Sequence, residues 1–413
     1  MFDVNKVRED FPMLSSNKMI NGHPLVYFDN AATTFKPQVV IDEVVNYYHN
    51  LSTNAHRGDY DLSYQVSSEY EESRAVMAKF INADPECIVF TSGASMSLNL
   101  VAYGYGRKFL KPGDVILSTE AEHASNILPW FKTAEETGAV IEYIPLDAEG
   151  RLTVENFKKV FHDKVKVVSF ANVTNVLGYI APTKEICALA HAGGAIVVVD
   201  GAQGVPHLPT DVKDDDMDFL AFSGHKMCGP TGVGVLYGKY ELLDKMEAFM
   251  VGGGSNARFD ICGNILLKEP PFKFEAGTPA IEAVLGMARA AKYVNNIGLS
   301  NISAHERELR AYLIQGLKAL PNVIIYNEKA DTGIVTFNVK DVFAQDVAMY
   351  INKQGICVRA GNHCAKILLN FLKTSETIRA SVYFYNTKAE VDQFIAAVGS
   401  ATLENCVGAL FED

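Results

Sequence analysis

From about residue 25 to residue 240, short apolar runs alternate with stretches of helical periodicity. The predicted strands are Leu25–Phe28, Ile88–Thr91, Val115–Ser118, Val140–Pro145, Val165–Ala171, Ala195–Asp200, Asp218–Ser223 and Gly232–Tyr237. Between two of them, Leu98, Val101, Ala102, Tyr105 and Phe109 recur as one apolar helix face would. Near-continuous apolar strands separated by helices predict an α/β fold, with a mostly parallel sheet covered by helices. Such sheets bind their ligands beyond the carboxyl ends of the strands.

The pattern then changes. Residues 240–280 are rich in glycine and proline and predict loops at a subunit or domain boundary. Farther on, a helix is expected over 301–318, a hairpin over 323–339, a helix ending at Gly355 and a strand Ile356–Arg359. From Ile378 to Tyr385 the alternation is strict. Ile378, Ala380, Val382 and Phe384 fall on one face, and Arg379, Ser381, Tyr383 and Tyr385 on a more polar one. Thr387-Lys-Ala-Glu390 is a capping box opening a helix with the stripe Val391, Phe394, Ile395, Val398. This block predicts a smaller C-terminal α+β domain.

Length agrees with two domains, because 413 residues exceed the ~250–300 at which one core stops growing. A charge of −12 without basic runs speaks against nucleic acid or an anionic membrane as partner. The N-terminal segment is acidic and lacks an apolar core, so no signal peptide is expected. No apolar run approaches the ~20 residues of a membrane span. A cytoplasmic protein is therefore expected. The seven cysteines are scattered and include no zinc-ligand spacing, so no metal site is expected and free thiols are.

Candidate chemistry gathers at strand ends. The strand ending at Asp200 and the strand running into Ser223-Gly-His-Lys226 present a carboxylate and an amine. Either alone reads as a helix cap or a surface lysine. Together they suit an aldehyde cofactor, the amine forming a Schiff base and the carboxylate holding a protonated ring nitrogen. Ser92-Gly-Ala-Ser95 opens a helix after Ile88–Thr91 and suits a phosphate. His123 could stack on a flat ligand. Asn175 could donate to a phenolic oxygen, and Arg379 could take a carboxylate bidentately. Cys364, in Arg359-Ala-Gly-Asn-His-Cys-Ala365, has the loop position and basic neighbours of a nucleophilic thiol.

Over nearly its whole length, from Val4-Asn-Lys-Val-Arg-Glu-Asp-Phe-Pro12 to Arg379-Ala-Ser-Val-Tyr-Phe-Tyr-Asn386, the chain resembles the Suf-type (group II) cysteine desulfurases of the class V aminotransferase superfamily. The motifs that carry this are Asp200-Gly-Ala-Gln203, Ser223-Gly-His-Lys226, Phe274-Glu-Ala-Gly-Thr-Pro279 and the short Cys364 loop. The resemblance implies a fold-type-I enzyme dependent on pyridoxal 5′-phosphate. It implies a large cofactor domain over 25–290 and a small domain from 1–24 and 291–413 carrying Cys364.

Residue by residue, the resemblance implies that Lys226 holds the cofactor and shuttles the α-proton. Asp200 meets the ring nitrogen, Gln203 the phenolic oxygen, and His123 stacks on the ring. Ala94, Ser95, Ser223 and His225 lie at the phosphate, with Thr278 contributed by a partner subunit. Asn175 and Arg379 hold the substrate carboxylate, with His56 and Arg359 nearby. The implied substrate is L-cysteine and the implied product L-alanine. A persulfide on Cys364 would serve iron–sulfur cluster assembly through a SufE-like or SufU-like acceptor, in a homodimer. The same parts would serve a selenocysteine lyase or a cysteine-sulfinate desulfinase, and a sulfur-carrier platform without catalysis is the non-enzymatic reading. Three stretches depart from the family pattern. Ser92-Gly-Ala-Ser-Met96 replaces Arg-Gly-Thr-Thr-Glu, Ala124 follows His123 where a second histidine is usual, and Asn362-His363 replaces a histidine pair.

Overall fold

The computed structural model describes residues 2–56 and 58–410. Its centre is a seven-stranded sheet. The strands are β1 (Ile88–Thr91), β2 (Val115–Thr119), β3 (Val140–Ile144), β4 (Val165–Ala171), β5 (Ile196–Asp200), β6 (Phe219–Ser223) and β7 (Gly234–Gly238), in the order β1-β7-β6-β5-β4-β2-β3. All run in the same direction except β7, which is antiparallel to β6 and β1. The expected α/β sheet is therefore present, and its strand ends agree with the sequence expectation within a residue or two.

The strands lack polar alternation because both faces are covered. Along β5 and β6, Val197, Val199, Leu220 and Phe222 enter one apolar cluster, while Val198, Phe219 and Ala221 enter the opposite one. Helix α1 (Asp61–Phe80) supplies Val66, Tyr70 and Met77 to the first cluster. Helices α2 (Ala94–Val101) and α3 (Ala124–Thr137) supply Leu98, Val101 and Trp130 to the second. Fully burying such side chains stabilises by ~1.5–3 kcal/mol each.

A four-stranded antiparallel sheet forms the C-terminal block. Its order is β8 (Val323–Ile325), β9 (Ile334–Val339), β11 (Thr377–Ser381), β10 (Arg359–Gly361). Helices α4 (Leu299–Lys318), α5 (Ala344–Asn352) and α6 (Lys388–Gly399) cover one face, packing Leu313, Val347 and Phe394 against Phe337 and Ile378. The capping box of Thr387 and Glu390 is present.

Two local expectations change, and the setting of a third segment emerges. Leu25–Phe28 does not join the central sheet; Val26–Tyr27 pairs in parallel with Ile356–Cys357, and Val26 and Phe28 lie in the C-terminal core. Residues 240–280 are not all loop. Asn256–Phe259 and Ile265–Leu267 form a hairpin whose Asp260 side chain accepts from the N–H groups of Cys262 and Asn264. The Arg379 face is not exposed: Arg379 is 3% accessible, and Tyr383 and Tyr385 are fully buried. That face packs on the central body, where Tyr383 donates to the Pro206 carbonyl. Among the described residues no helix is long and apolar enough to cross a membrane.

Phe394 touches Phe28 and Phe337, with ring centroids 5.4 and 5.8 Å away. Phe394→Ala should destabilise the C-terminal block by ~3–5 kcal/mol. Urea unfolding followed by near-UV dichroism would reveal this, and an unchanged midpoint would refute the packing assigned to the ring.

Candidate active site

The carboxyl ends of the parallel strands converge on one cavity of about 540 Å³. Ala94, Ser95, His123, Asn175, Asp200, Gln203, Ser223, His225, Lys226, Arg359, Cys364 and Arg379 all line it. Strands β1, β2, β4, β5 and β6 deliver most of these directly or through the loops that follow. Arg359 and Arg379 come from β10 and β11 of the C-terminal sheet, so the cavity lies between the two sheets.

At the end of β1 the backbone turns sharply into α2. Gly93 has φ +148°, and a Cβ on neighbouring Gly234 would lie 2.5 Å from its Cα, so glycine is required where β7 crosses this loop. The Ala94 N–H donates to Ser223 Oγ (2.8 Å). The next N–H groups of α2 have no intrahelical acceptor and suit an anion. The Ser95 and Ser125 hydroxyls meet at 2.6 Å. Ser125 also lines the cavity and sets a second hydroxyl beside Ser95; sequence reading missed it because it lies in a different segment.

Lys226 ends the turn after β6. Burial lowers its pKa to about 8 against the pull of Asp200, which favours the charged form. The buried Asp200 carboxyl is pushed up by desolvation and partly relieved by the Ala202 N–H at 3.0 Å and by Lys226. His123 caps α3, its Nδ1 accepting from the Ser125 N–H at 3.1 Å. Its pKa falls to about 4 through burial first and then Lys226 and Arg379. The ring is therefore neutral, with its proton on Nε2. His225 is likewise lowered to about 4 by burial, Lys226 and Lys36. Its ring is therefore neutral as well.

The loop carrying Cys364 is strained and pinned. His363 and Cys364 both adopt left-handed backbone, at φ 51° and 56°, a conformation costing ~1–3 kcal/mol per non-glycine residue. The Ala124 N–H donates to the Cys364 carbonyl (2.7 Å), Asn175 Nδ2 donates to the His363 carbonyl (2.8 Å), and Asn362 Oδ1 accepts from the Cys364 N–H (3.0 Å). Ala124 thus acts through its backbone, which any residue there provides. One expectation is corrected. His363 does not add positive charge beside the thiol, because its side chain turns inward to Thr377 (2.9 Å) and burial, with Arg379, lowers its pKa to about 3. The nearby positive groups are Arg359, Arg379 and Lys226.

The segment Phe28-Asp-Asn-Ala-Ala-Thr-Thr34 supports the site, and sequence reading passed over it. Thr33 and Thr34 donate to the His225 carbonyl, Ala31 accepts from Gln203 Nε2 (2.7 Å), and Asp29 pairs with both Arg359 and Arg379. Its signal was a run of short polar residues following a strand, which by spacing alone is an ordinary turn.

Two expected residues lie elsewhere. His56 lines a second cavity, its ring 3.3 Å from Glu71, and Thr278 accepts from Asn54 Nδ2 at 3.3 Å in the loop beside it. This region is tied to β1 through Glu275, which accepts from the Phe90 N–H and pairs with Arg74 at 2.7 Å.

The residues fit pyridoxal phosphate by their chemistry: a buried amine–carboxylate pair, a neutral flat ring, and hydroxyl and N–H donors at a helix start. Among the described residues, buried polar atoms without a partner include Asn175 Oδ1, Gln203 Oε1, His363 Nδ1 and Arg379 Nε, all on cavity-lining residues. Leaving such groups unpaired costs ~1–3 kcal/mol each, which a polar ligand would recover.

The chain matches the family described as aminotransferase class-V over residues 26–394. It is 44% identical over 397 residues to a probable cysteine desulfurase of Synechocystis, covering 95% of this chain and 94% of that protein. A cysteine desulfurase from Thermococcus onnurineus, solved in its apo form, superposes with a TM-score of 0.91 at 40% identity, covering 97% of this chain and 98% of that one. The cysteine desulfurase CsdA of Escherichia coli, in an S-sulfonic acid form, gives 0.90 at 33% identity over 99% of both chains.

The Lys226 shift has a direct consequence. Burial lowers the folded pKa to about 8 from the ordinary 10.5, so the neutral, nucleophilic amine predominates above about pH 8. Capture of added pyridoxal 5′-phosphate by cofactor-free protein should accelerate up to about pH 8 and level off near about pH 9. Stopped-flow absorbance would show it; a rate still rising tenfold per unit beyond about pH 9 would mark an ordinary lysine.

Proposed function

Because this chain belongs to the aminotransferase class-V family, we propose that it is a pyridoxal-phosphate-dependent L-cysteine desulfurase, making L-alanine and a persulfide on Cys364. One observation carries the reading: an exposed cysteine on a pinned loop shares a cavity with the buried Lys226–Asp200 pair.

The bound cofactor supplies an aldehyde to capture the substrate amine and a conjugated ring to accept the electron pair released at Cα. Asp200 would face the ring nitrogen and His123 the ring plane. Gln203 would meet the phenolic oxygen, and Ala94, Ser95, Ser223 and His225 the phosphate. Lys226 is the residue that would hold the aldehyde, and its amine would carry the proton at the substrate Cα. Arg379 Nε, a buried donor without a partner among the described residues, takes the substrate carboxylate together with Asn175. Cys364 Sγ, as thiolate, forms a bond to the substrate sulfur. The Cβ–S bond breaks with its electron pair left on Cβ, a proton completes the methyl group of alanine, and the sulfur stays on Cys364. Arg359, Arg379 and Lys226 supply the positive field that favours the thiolate.

His56 and Thr278 lie outside this chain's own cavity, and in a homodimer they would complete the partner subunit's site. The persulfide would pass to a SufE-like or SufU-like acceptor for iron–sulfur cluster assembly in the reducing cytoplasm, where free thiols persist.

Cys364→Ser should keep the yellow colour of the loaded enzyme yet lose alanine release from L-cysteine by about a hundredfold or more. Lys226→Ala should lose the covalent cofactor. Native alanine production by the serine variant would overturn the role given to Cys364.

A further inference from the structure

Lys36 is half-buried beside the turn Gly224–Lys226. Its Nζ donates to the His225 carbonyl and to Thr33 Oγ1, at 3.3 Å each, and to the Thr34 carbonyl. Three acceptors take all three N–H bonds of an ammonium, which only the protonated amine supplies. All three are neutral oxygens, and among the described residues no carboxylate pairs with this amine. A cation withdrawn from water without a counterion is costly. The carbonyl it grips belongs to the peptide joining His225 to Lys226. Thr33 Oγ1 (3.0 Å), the Thr34 N–H (3.0 Å) and Thr34 Oγ1 (3.1 Å) donate to the same oxygen. Thr34 Oγ1 also accepts from the N–H of fully buried Cys228. Lys36 itself does not line the cavity; His225 and Lys226 do.

The groups given to the phosphate carry no charge of their own. Ser95, Ser125 and Ser223 offer hydroxyls, and the His225 ring is neutral. The cations that line the cavity have other tasks: Lys226 at the aldehyde, Arg379 at the carboxylate, Arg359 beside the thiol. A phosphate dianion held by neutral donors alone would keep its charge uncompensated. Lys36 is a cation without a counterion, fixed to the peptide that carries His225, and its charge reaches the ring: after burial and Lys226, Lys36 adds to the lowering of the His225 pKa. We infer that Lys36 is a positioning residue for the phosphate end of the cofactor, whose ammonium clamps the His225–Lys226 peptide and supplies positive charge to the dianion from outside the cavity. This rests on the pyridoxal-phosphate reading and deepens it, because it names where the phosphate's charge is balanced.

The experiment compares cofactor-free wild-type protein with Lys36→Met, Lys36→Gln and Lys36→Arg. Dissociation constants for pyridoxal 5′-phosphate and for unphosphorylated pyridoxal, read from the absorbance each gains on capture, give a ratio. Calorimetric binding of inorganic phosphate gives a second readout that needs no aldehyde. Lys36→Met should raise the ratio by about tenfold and weaken inorganic phosphate by a similar factor, the effect of one unit charge several ångströms away at a partly screened site. Lys36→Arg, which keeps the charge, should stay near wild type. Lys36→Gln, which keeps an N–H donor without the charge, should behave as Lys36→Met and carries the test if that variant fails to fold. An equal loss for both aldehydes in a folded variant would reduce Lys36 to a structural clamp and overturn the inference, as would an unchanged affinity for inorganic phosphate. Wild-type protein that captures neither aldehyde would instead overturn the proposed function, while the phosphate affinities still judge Lys36.

Discussion

Arg379 carries a permanent charge into a buried place, and much of the surrounding architecture answers that constraint. An isolated ion there would cost several kcal/mol even after relaxation. Its Nη1 donates to the Asn175 carbonyl at the end of the β4 loop, and its Nη2 faces Asp29. Through these two contacts the arginine joins the central sheet, the segment after Val26–Tyr27 and the C-terminal sheet. The Nε left unpaired points the remaining demand at the cavity.

The same joint positions the thiol. Asn175 binds Arg379 by its backbone and the Cys364 loop by its side-chain amide. The Ala124 N–H, one residue beyond His123, holds the Cys364 carbonyl. A loop with two left-handed non-glycine residues needs such anchors, because the strain would otherwise relax. Consequently the groups assigned to carboxylate binding, ring stacking and sulfur attack share one hydrogen-bonded frame.

Electrostatics within that frame favour neutral histidines. His123, His225 and His363 are all lowered by burial and by neighbouring cations. They serve as shapes and hydrogen-bond partners, while Lys226, Arg359 and Arg379 carry the positive charge. A network behind α3 supports His123: buried Glu122 accepts from Asn126, which accepts from Ser169, which accepts from Trp130. Its carboxyl is pushed up to about 7 by burial.

The central sheet was legible from sequence because both its faces are apolar, so β1, β2, β4, β5, β6 and β7 read as continuous runs whatever covers them. Asp200, Ser223 and Lys226 were legible because strand ends place them without long-range information. Leu25–Phe28 was misplaced because an apolar run does not encode its partner strand. What packs on the Arg379 face was not legible, because alternation separates two faces without saying what covers either. Asp29 read only as a turn residue, since its meaning is the register that sets Arg359 opposite Arg379. The sequence alone determined the sheet, the amine–carboxylate pair and the candidate nucleophile, all local in the chain. Tertiary structure alone decided what the arginines face, which histidines are neutral and which residues stand outside this chain's cavity. Those properties depend on burial and on charges brought together from distant segments.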